Sequence, residues 1–501
     1  MPVADQRRSR AAFAQPEHFA VTEHGYTLMP FRFARIPSVS DRVLITSETG
    51  EYLFLPEDAL RALVRGSLPR SHPRYLDLLG KHFITEGAPR AALRRVSSQY
   101  RTKRSFAFSG PALFLFVVTL RCDHSCHYCQ VSRQSTDAVA FDMSAETARH
   151  AVDRMFETPS NDITVEFQGG EPLLAFDRIR QVVALVNERL PASGKQVTFT
   201  ITTTLHHAND EVLVFLRDND FQVSTSLDGP AHLHNTHRPT RSRDSYAQTM
   251  LAIDRARSVL GYDRISALVT LTKAALEQPE AIIDEYVRLG FRSIFLRPLS
   301  PFGFATRSEA RIGYPTEDFV AFYDRSLQYI LELNNRGTRI AEAYAGILLT
   351  HILTPFATGY VDLRSPIGAG LGALVFNYDG WVYPSDEARM MVEMGDSSLR
   401  LGRVTASYAE YLSSDAMSLL LASGISESLP GCADCAFLPY CGADPISALS
   451  RTGAPISHTY TAPHCIKHMG LFNVLFRHLA EGDPHTLRTF AGWLVPRGAS
   501  H

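Results

Sequence analysis

Leu120-Arg121-Cys122-Asp123-His124-Ser125-Cys126-His127-Tyr128-Cys129 is the stretch on which the reading of this 501-residue chain turns. Three cysteines stand at C-x3-C-x2-C spacing, with an aromatic residue before the last, directly after an apolar strand-like run at 112–119. Thiolates bind iron and zinc, and a [4Fe–4S] cube normally takes four of them. Three close thiolates would hold three irons and leave the fourth open, which is what a catalytic metal position requires. A zinc site completed by His124 or His127 is the alternative. The x3 spacing and the position straight after a strand argue against it.

Outward from this loop, strand and helix patterns alternate. Apolar runs at 112–119, 163–167, 197–203, 222–227, 264–271 and 293–297 are separated by helical patterns at 144–157, 175–190, 209–218, 244–260 and 277–289. Six βα repeats with near-continuously apolar strands predict an α/β fold, a parallel sheet covered by helices. Six units are too few for an eight-fold barrel, so a partial barrel or open sheet is expected. Its chemistry should lie at the C-terminal ends of the strands.

The flanks differ from this core. Arg42–Thr46 and Glu51–Leu55 predict a hairpin turned at Gly50, followed by amphipathic helices at 56–64 and 73–84: a small winged-helix-like module. The basic stretch Arg90 to Arg104 reads as a solvated linker. Beyond 316, a helix at 317–335 precedes Gly/Pro-rich chain with a hairpin at 373–384, turned by Asp379-Gly380, and an apolar helix at 467–480 closes the pattern. Three domains are expected, at 1–105, 106–315 and 316–501. Gly368-Ala369-Gly370-Leu371-Gly372-Ala373 lacks the strand before it and the helix after it that dinucleotide binding needs.

Fifty basic residues against fifty-two acidic ones give a formal charge of −2, so no electrostatic argument favours nucleic acid or a membrane surface. No run approaches the roughly 18 apolar residues of a membrane helix. The polar N-terminus has no apolar segment behind it, so a cytoplasmic location is expected. The seven cysteines group as three and four, the latter at 432, 435, 441 and 465. In a long chain of this kind that grouping points to metal or cluster ligation rather than disulfides.

The three-cysteine loop after the first strand resembles that of the radical S-adenosylmethionine (SAM) superfamily. Gly169-Gly170-Glu171-Pro172 after the second strand is similar to the motif that receives the methionine ammonium. The resemblance implies that Tyr128 packs near the adenine, that Ser226 contacts ribose or carboxylate, and that Arg238 pairs with the carboxylate. The third strand ends in Thr202-Thr203-Thr204-Leu205, where many relatives carry Thr-Asn-Gly. The implied chemistry is reductive cleavage of SAM, followed by hydrogen abstraction from substrate by the 5′-deoxyadenosyl radical.

Cys432, Cys435, Cys441 and Cys465 resemble the SPASM extension of peptide-modifying members, which implies one auxiliary [4Fe–4S] cluster; by spacing alone, zinc stays open. The second auxiliary cluster of that extension is expected to be absent. Tyr383-Pro384-Ser385-Asp386 replaces the usual Tyr-Pro-Cys-Asp turn, and no cysteine lies between 130 and 431. By resemblance to sulfatase-maturating enzymes, Asp386 is the candidate general base.

The N-terminal module resembles PqqD-like elements that bind leader peptides. Pro30-Phe31-Arg32-Phe33, the segment from Cys126 to Arg133, and Ser385 to Met390 together resemble the His-Xaa-Ser system radical SAM maturase. That implies a precursor peptide as substrate, a paired second radical SAM protein, and an electron donor such as flavodoxin or ferredoxin. The competing readings are a radical SAM oxidoreductase acting on a small molecule or another enzyme, and a non-catalytic zinc-bearing peptide scaffold.

Overall fold

The computed structural model describes residues 25–356, 358–457 and 459–494, and these divide into two compact units. The smaller comprises the chain up to Lys103 together with Asp434–Pro439; the first 24 residues of the expected 1–105 module lie outside the described residues. Its hairpin, Arg42–Ser47 with Tyr52–Pro56, is joined antiparallel by Phe31–Ala34. The helix Glu57–Val64 packs Ala59, Leu60 and Leu63 against this sheet, in a core shared with Tyr26, Ile45, Leu55, Tyr75 and Phe83.

Two elements here differ from expectation. The second helix covers only Tyr75–Gly80, because His82 takes a left-handed conformation and Ile84–Glu86 then pairs as a strand with Tyr26–Leu28. Residues Pro89–Lys103, expected as a linker, form a helix that buries nothing. Its alanines, leucine and arginines are good helix formers, and a polar helix can stand in solvent. Residues 434–439 belong to this unit through bonds such as Thr46 Oγ1 to the Ala436 carbonyl, at 2.7 Å.

The larger unit is built on one nine-stranded sheet. Six parallel strands form its first part: β1 (Leu113–Thr119), β2 (Asp162–Gly169), β3 (Gln196–Thr202), β4 (Gln222–Ser226), β5 (Ile265–Thr270) and β6 (Leu296–Arg297). Helices Ala145–Phe156, Phe176–Ser193, Asp210–Asp218, Ser245–Leu260 and Pro279–Arg288 fall where the sequence periodicity places them. A further helix, Ala231–His237, occupies what reads in sequence as the continuation of a Gly-Pro turn.

The expected hairpin is present as β7 (Ala373–Phe376) and β8 (Trp381–Tyr383), with β9 (Gly402–Arg403) beyond it. It is not a separate sheet: β7 lies parallel against β1, with Ala373 opposite Leu113.

Continuous apolarity holds for β1 but not for β2 to β5. One face buries Val165, Phe167, Phe199, Ile201 and Val223. The other carries Glu166 opposite Thr200, Thr200 opposite Gln222, and Thr202 opposite Ser224, each partly open to solvent. Strands buried on both faces would be apolar throughout; these alternate, with one face apolar and buried and the other polar and partly open.

Candidate active site

The cysteine loop is held at every stage by backbone bonds to other segments. Gln134 N–H donates to the Leu120 carbonyl (2.7 Å) and Cys122 N–H to that of Gln134 (3.1 Å). Ser125 N–H donates to Pro239 (2.9 Å), His127 N–H to His237 (3.1 Å), and Phe304 N–H to the Cys129 carbonyl (2.8 Å). The end of β2 clamps the entry: Gly170 N–H donates to Thr119 and Glu171 N–H to Arg121, at 2.9 and 2.7 Å. A Cβ on Gly169 would lie 2.2 Å from the Thr119 carbonyl oxygen, and one on Gly170 2.3 Å from that of Arg121. Only glycine permits this approach.

All three thiols of the loop are free, Cys122 buried and Cys126 and Cys129 partly so. Burial pushes the Cys126 thiol up to about 11, and burial together with Glu171 pushes Cys122 up further. Thiols so disfavoured as lone anions become thiolates when a metal binds them, so the donor set fits an iron–sulfur cluster.

The Glu171 side chain is fully buried. Its carboxylate accepts from Thr203 Oγ1 (2.6 Å), Thr204 N–H and Oγ1 (2.7 Å each) and Leu173 N–H (3.0 Å). The threonines after β3 thus serve Glu171. Arg238 Nη1 donates to the phenolic oxygen of Tyr128 (2.8 Å), and that hydroxyl donates to Asp228 Oδ2 (2.6 Å). Tyr128 and Arg238 are therefore joined at one point, beside Asp228, which the sequence presents only as part of a turn. Ser226, the last residue of β4, is partly exposed beside them in sequence.

A histidine cluster lies against the loop, and its members are too scattered in sequence to be seen as a group. His124 bonds Asp123 Oδ1 (2.9 Å) and Ser245 Oγ (3.1 Å), and Ser245 Oγ also meets His234 Nε2 at 3.1 Å. His206 bonds Thr249 Oγ1 (3.0 Å), His237 bonds Thr272 Oγ1 (2.9 Å), and His207 lies 3.2 Å from Asp123 Oδ2. Burial holds both His206 and His237 down to about 4, so they are neutral at physiological pH. His124, named in the zinc alternative, spends both ring nitrogens on this network, although Cys122, Asp123 and His124 offer ligand atoms within 4.8 Å of one another.

A second group of ionisable residues includes the first turn of the helix that follows β8. Because β8 returns antiparallel to β7, with Tyr383 opposite Val375, the helix Asp386–Glu393 begins near the N-terminal end of β1, away from the cysteine loop. Ser385, where the SPASM turn carries cysteine, caps this helix by accepting from Ala388 N–H. Asp386 Oδ1 accepts from Arg389 Nε at 2.8 Å, and Arg389 is 2% exposed. Glu166 on β2 accepts from Gln168 and Thr202; its carboxyl is raised by burial, with Asp386 and Arg297 as the nearby charges.

Of the C-terminal cysteines, Cys432, Cys441 and Cys465 belong to the larger unit and Cys435 to the 434–439 segment of the smaller. Cys441 lies with His464 and His468, their ligand atoms within 4.8 Å of one another. Each imidazole is also hydrogen-bonded, His464 Nε2 to the Gly442 carbonyl (2.9 Å) and His468 Nε2 to the Tyr344 hydroxyl (2.6 Å).

Residues 116–295 match the model of the Radical SAM superfamily. A serine-type anaerobic sulfatase-maturating enzyme of Klebsiella aerogenes is 26% identical over 191 residues, which cover 37% of this chain and less than half, 46%, of that enzyme. The solved structure of native anSMEcpe with bound AdoMet superposes with a TM-score of 0.60 at 18% identity, covering 74% of this chain and 98% of that one. Streptococcus suis SuiB bound to precursor peptide SuiA gives a TM-score of 0.51 at 13% identity, covering 86% and 98%. At these identities the two structures establish the fold. Among the described residues, no helix is long and apolar enough to cross a membrane.

Proposed function

We propose, from a radical SAM domain at residues 116–295 whose cofactors are S-adenosylmethionine and a [4Fe–4S] cluster, that this enzyme modifies a ribosomally made precursor peptide. The observation that carries the reading is the C-x3-C-x2-C loop, clamped by Gly169-Gly170 where β1 and β2 end. When bound, the cofactors supply a 5′-deoxyadenosyl radical that takes a hydrogen atom from substrate.

The chain's own groups then have separable tasks. Cys122, Cys126 and Cys129 hold three irons. Backbone around Gly169 and Gly170 receives the methionine amine, while Glu171 ties the ends of β2 and β3 beneath it. Arg238 carries the charge to meet the SAM carboxylate and is oriented by Tyr128 and Asp228, with Ser226 adjacent. Fixed donors held by the fold orient a reactive species and limit side reactions.

The finer reading takes the His-Xaa-Ser maturase as model. It includes a precursor with His-Xaa-Ser repeats, a leader-binding role for the N-terminal module, a paired second radical SAM protein, a flavodoxin- or ferredoxin-type electron donor, and a cytoplasmic location. An auxiliary [4Fe–4S] cluster on Cys432, Cys435, Cys441 and Cys465 rests on sequence spacing, and Asp386 as general base rests on resemblance to sulfatase-maturating enzymes. The likeness to SuiB, a structure described with its precursor peptide, supports a peptide substrate over a small molecule.

The test begins with iron and sulfide content and 5′-deoxyadenosine formation after anaerobic reduction. Mass spectrometry of small peptides encoded beside the gene and co-expressed with the enzyme follows. A mass change dependent on Cys122, Cys126 and Cys129 is expected. SAM cleavage without any modified peptide would instead favour a small-molecule substrate, and zinc without iron would reduce the chain to a binding scaffold.

A further inference from the structure

Asp228, just beyond the end of β4, ties the cysteine loop at both of its ends. On one side its carboxylate accepts from the hydroxyl of Tyr128, the residue before Cys129, at 2.6 Å. On the other, its backbone amide begins a chain of bonds that ends on Asp123, the residue after Cys122. The Asp228 N–H donates to His234 Nδ1 (3.4 Å), and His234 Nε2 meets Ser245 Oγ (3.1 Å). Ser245 Oγ meets His124 Nε2 (3.1 Å), and His124 Nδ1 meets Asp123 Oδ1 (2.9 Å). Asp228, Ser245 and His124 are each 1% exposed and His234 not at all, so these bonds are made inside the protein, out of competition with solvent.

The donor and acceptor capacities of these groups give each proton a place. An amide N–H can only donate, so His234 Nδ1 carries no proton and its Nε2–H donates to Ser245 Oγ. The serine has one proton to give, and it goes to His124 Nε2. That leaves the His124 proton on Nδ1, donating to the Asp123 carboxylate. Burial disfavours the charged form of both imidazoles, in keeping with this assignment. The two rings do not depend on Ser245 equally. His234 Nε2 also has Thr249 Oγ1 at 3.5 Å, while His124 Nε2 has no second partner among the described residues. Ser245 opens the helix Ser245–Leu260, but Asp244 caps it by accepting from Ala247 N–H (3.1 Å), so the helix does not need the serine hydroxyl.

We propose that Ser245 is a positioning residue for SAM cleavage: by fixing His124 against His234 it holds the start of the cysteine loop in register with Asp228 and, through Tyr128, with Arg238. The inference rests on the reading of Arg238 as the group that meets the SAM carboxylate. The cysteine loop sets where the iron lies and Arg238 sets where the carboxylate lies. A rigid link between them preserves the geometry on which cleavage depends.

The experiment has two arms. In the first, nitrogen-15 magnetic resonance of the full-length protein, reconstituted, kept oxidised and labelled in histidine, reads which ring nitrogen carries the proton. Signals are assigned by their loss in His124→Asn and His234→Asn. The wild type should show His124 protonated at Nδ1 and His234 at Nε2. Ser245→Ala should lose the fixed His124 form and keep that of His234. Thr249→Ala removes a neighbouring buried hydroxyl that is off the path, and should keep the His124 form. A different proton placement in the wild type, an unmoved His124 signal in Ser245→Ala, or equal loss in Thr249→Ala overturns the proposal.

In the second arm, electron paramagnetic resonance follows the reduced cluster before and after SAM is added. The wild-type signal should change to a single new form. Ser245→Ala should hold the same iron yet give a mixture of forms, and its 5′-deoxyadenosine formation at saturating SAM should fall on the order of 10²-fold, the loss expected from a displacement of about 1 Å. A single wild-type form in Ser245→Ala, or loss of its iron, overturns the proposal. If SAM leaves the wild-type signal unchanged, the reading of a SAM-binding cluster fails instead, and the first arm still decides whether Ser245 fixes His124.

Discussion

Gly170 and Arg121 are packed so closely that a methyl group on the first would sit 2.3 Å from the carbonyl oxygen of the second. The contact joins the end of β2 to the residue before the first cysteine. The amide of Glu171 donates to that same carbonyl at 2.7 Å, so the two segments are both bonded and at the limit of van der Waals approach there.

Gly170→Ala must therefore push the loop away from β2. Reconstituted iron should fall by about half while the fold, followed by far-ultraviolet circular dichroism, persists. Full iron retention with unchanged SAM cleavage would show that the loop tolerates displacement.

Seven cysteines dividing three and four predict about eight irons per chain. Simultaneous Cys122→Ala, Cys126→Ala and Cys129→Ala should remove about half the iron and all formation of 5′-deoxyadenosine. Residual cleavage would place the catalytic cluster elsewhere.

Glu171→Ala leaves the hydroxyls of Thr203 and Thr204 and two amides without their acceptor inside the protein. Hydrogen bonds to a buried charge contribute roughly 1.5–3 kcal/mol each and are not additive, so a loss of at least about 2 kcal/mol is expected. Denaturant unfolding of the metal-free protein measures it. Unchanged stability would mean that Glu171 acts only on SAM and not on the strand ends.

Glu387 supplies a pH-dependent term in stability. Its carboxyl lies at about 7 in the folded chain against an ordinary 4.5, so the folded state binds more protons than the unfolded between those values. The contribution is full below the unfolded value and is lost as pH rises through the folded one. Glu387→Gln abolishes the loss, so its Tm advantage over the wild type should be larger at about pH 8 than at about pH 5. Equal differences at the two pH values would mean that the carboxyl is not perturbed.

The repeating core was legible because each of its helices and strands advertises itself locally. Val182, Val183 and Val186 fall on one face of the Phe176–Ser193 helix, and a single cysteine spacing names the loop. What could not be read depends on residues distant in sequence. The bond between Tyr128 and Arg238 spans 110 positions, and the histidines at 124 and 206 meet only because the loop after β3 folds under the loop after β1. Pro89–Lys103 misleads for the opposite reason: its charge pattern is that of exposed chain, and it is exposed, yet local propensity still winds it into a helix.

The pairing of β7 with β1 bears on how the chain avoids sticking to itself. Without Ala373–Phe376, the row of backbone donors and acceptors along Leu113–Thr119 would be an open sheet margin, and Phe114, Phe116 and Val118 would stand beside it. Such a margin recruits strands from other molecules. The hairpin satisfies it from within the same polypeptide, and β8 and β9 extend the covering by two short strands, the last only two residues long. A chain shortened before residue 373 would leave that margin bare, so its expected fate is association with other chains rather than a smaller working enzyme. The hairpin thus has reason to persist whether or not any cluster remains in the turn that follows it.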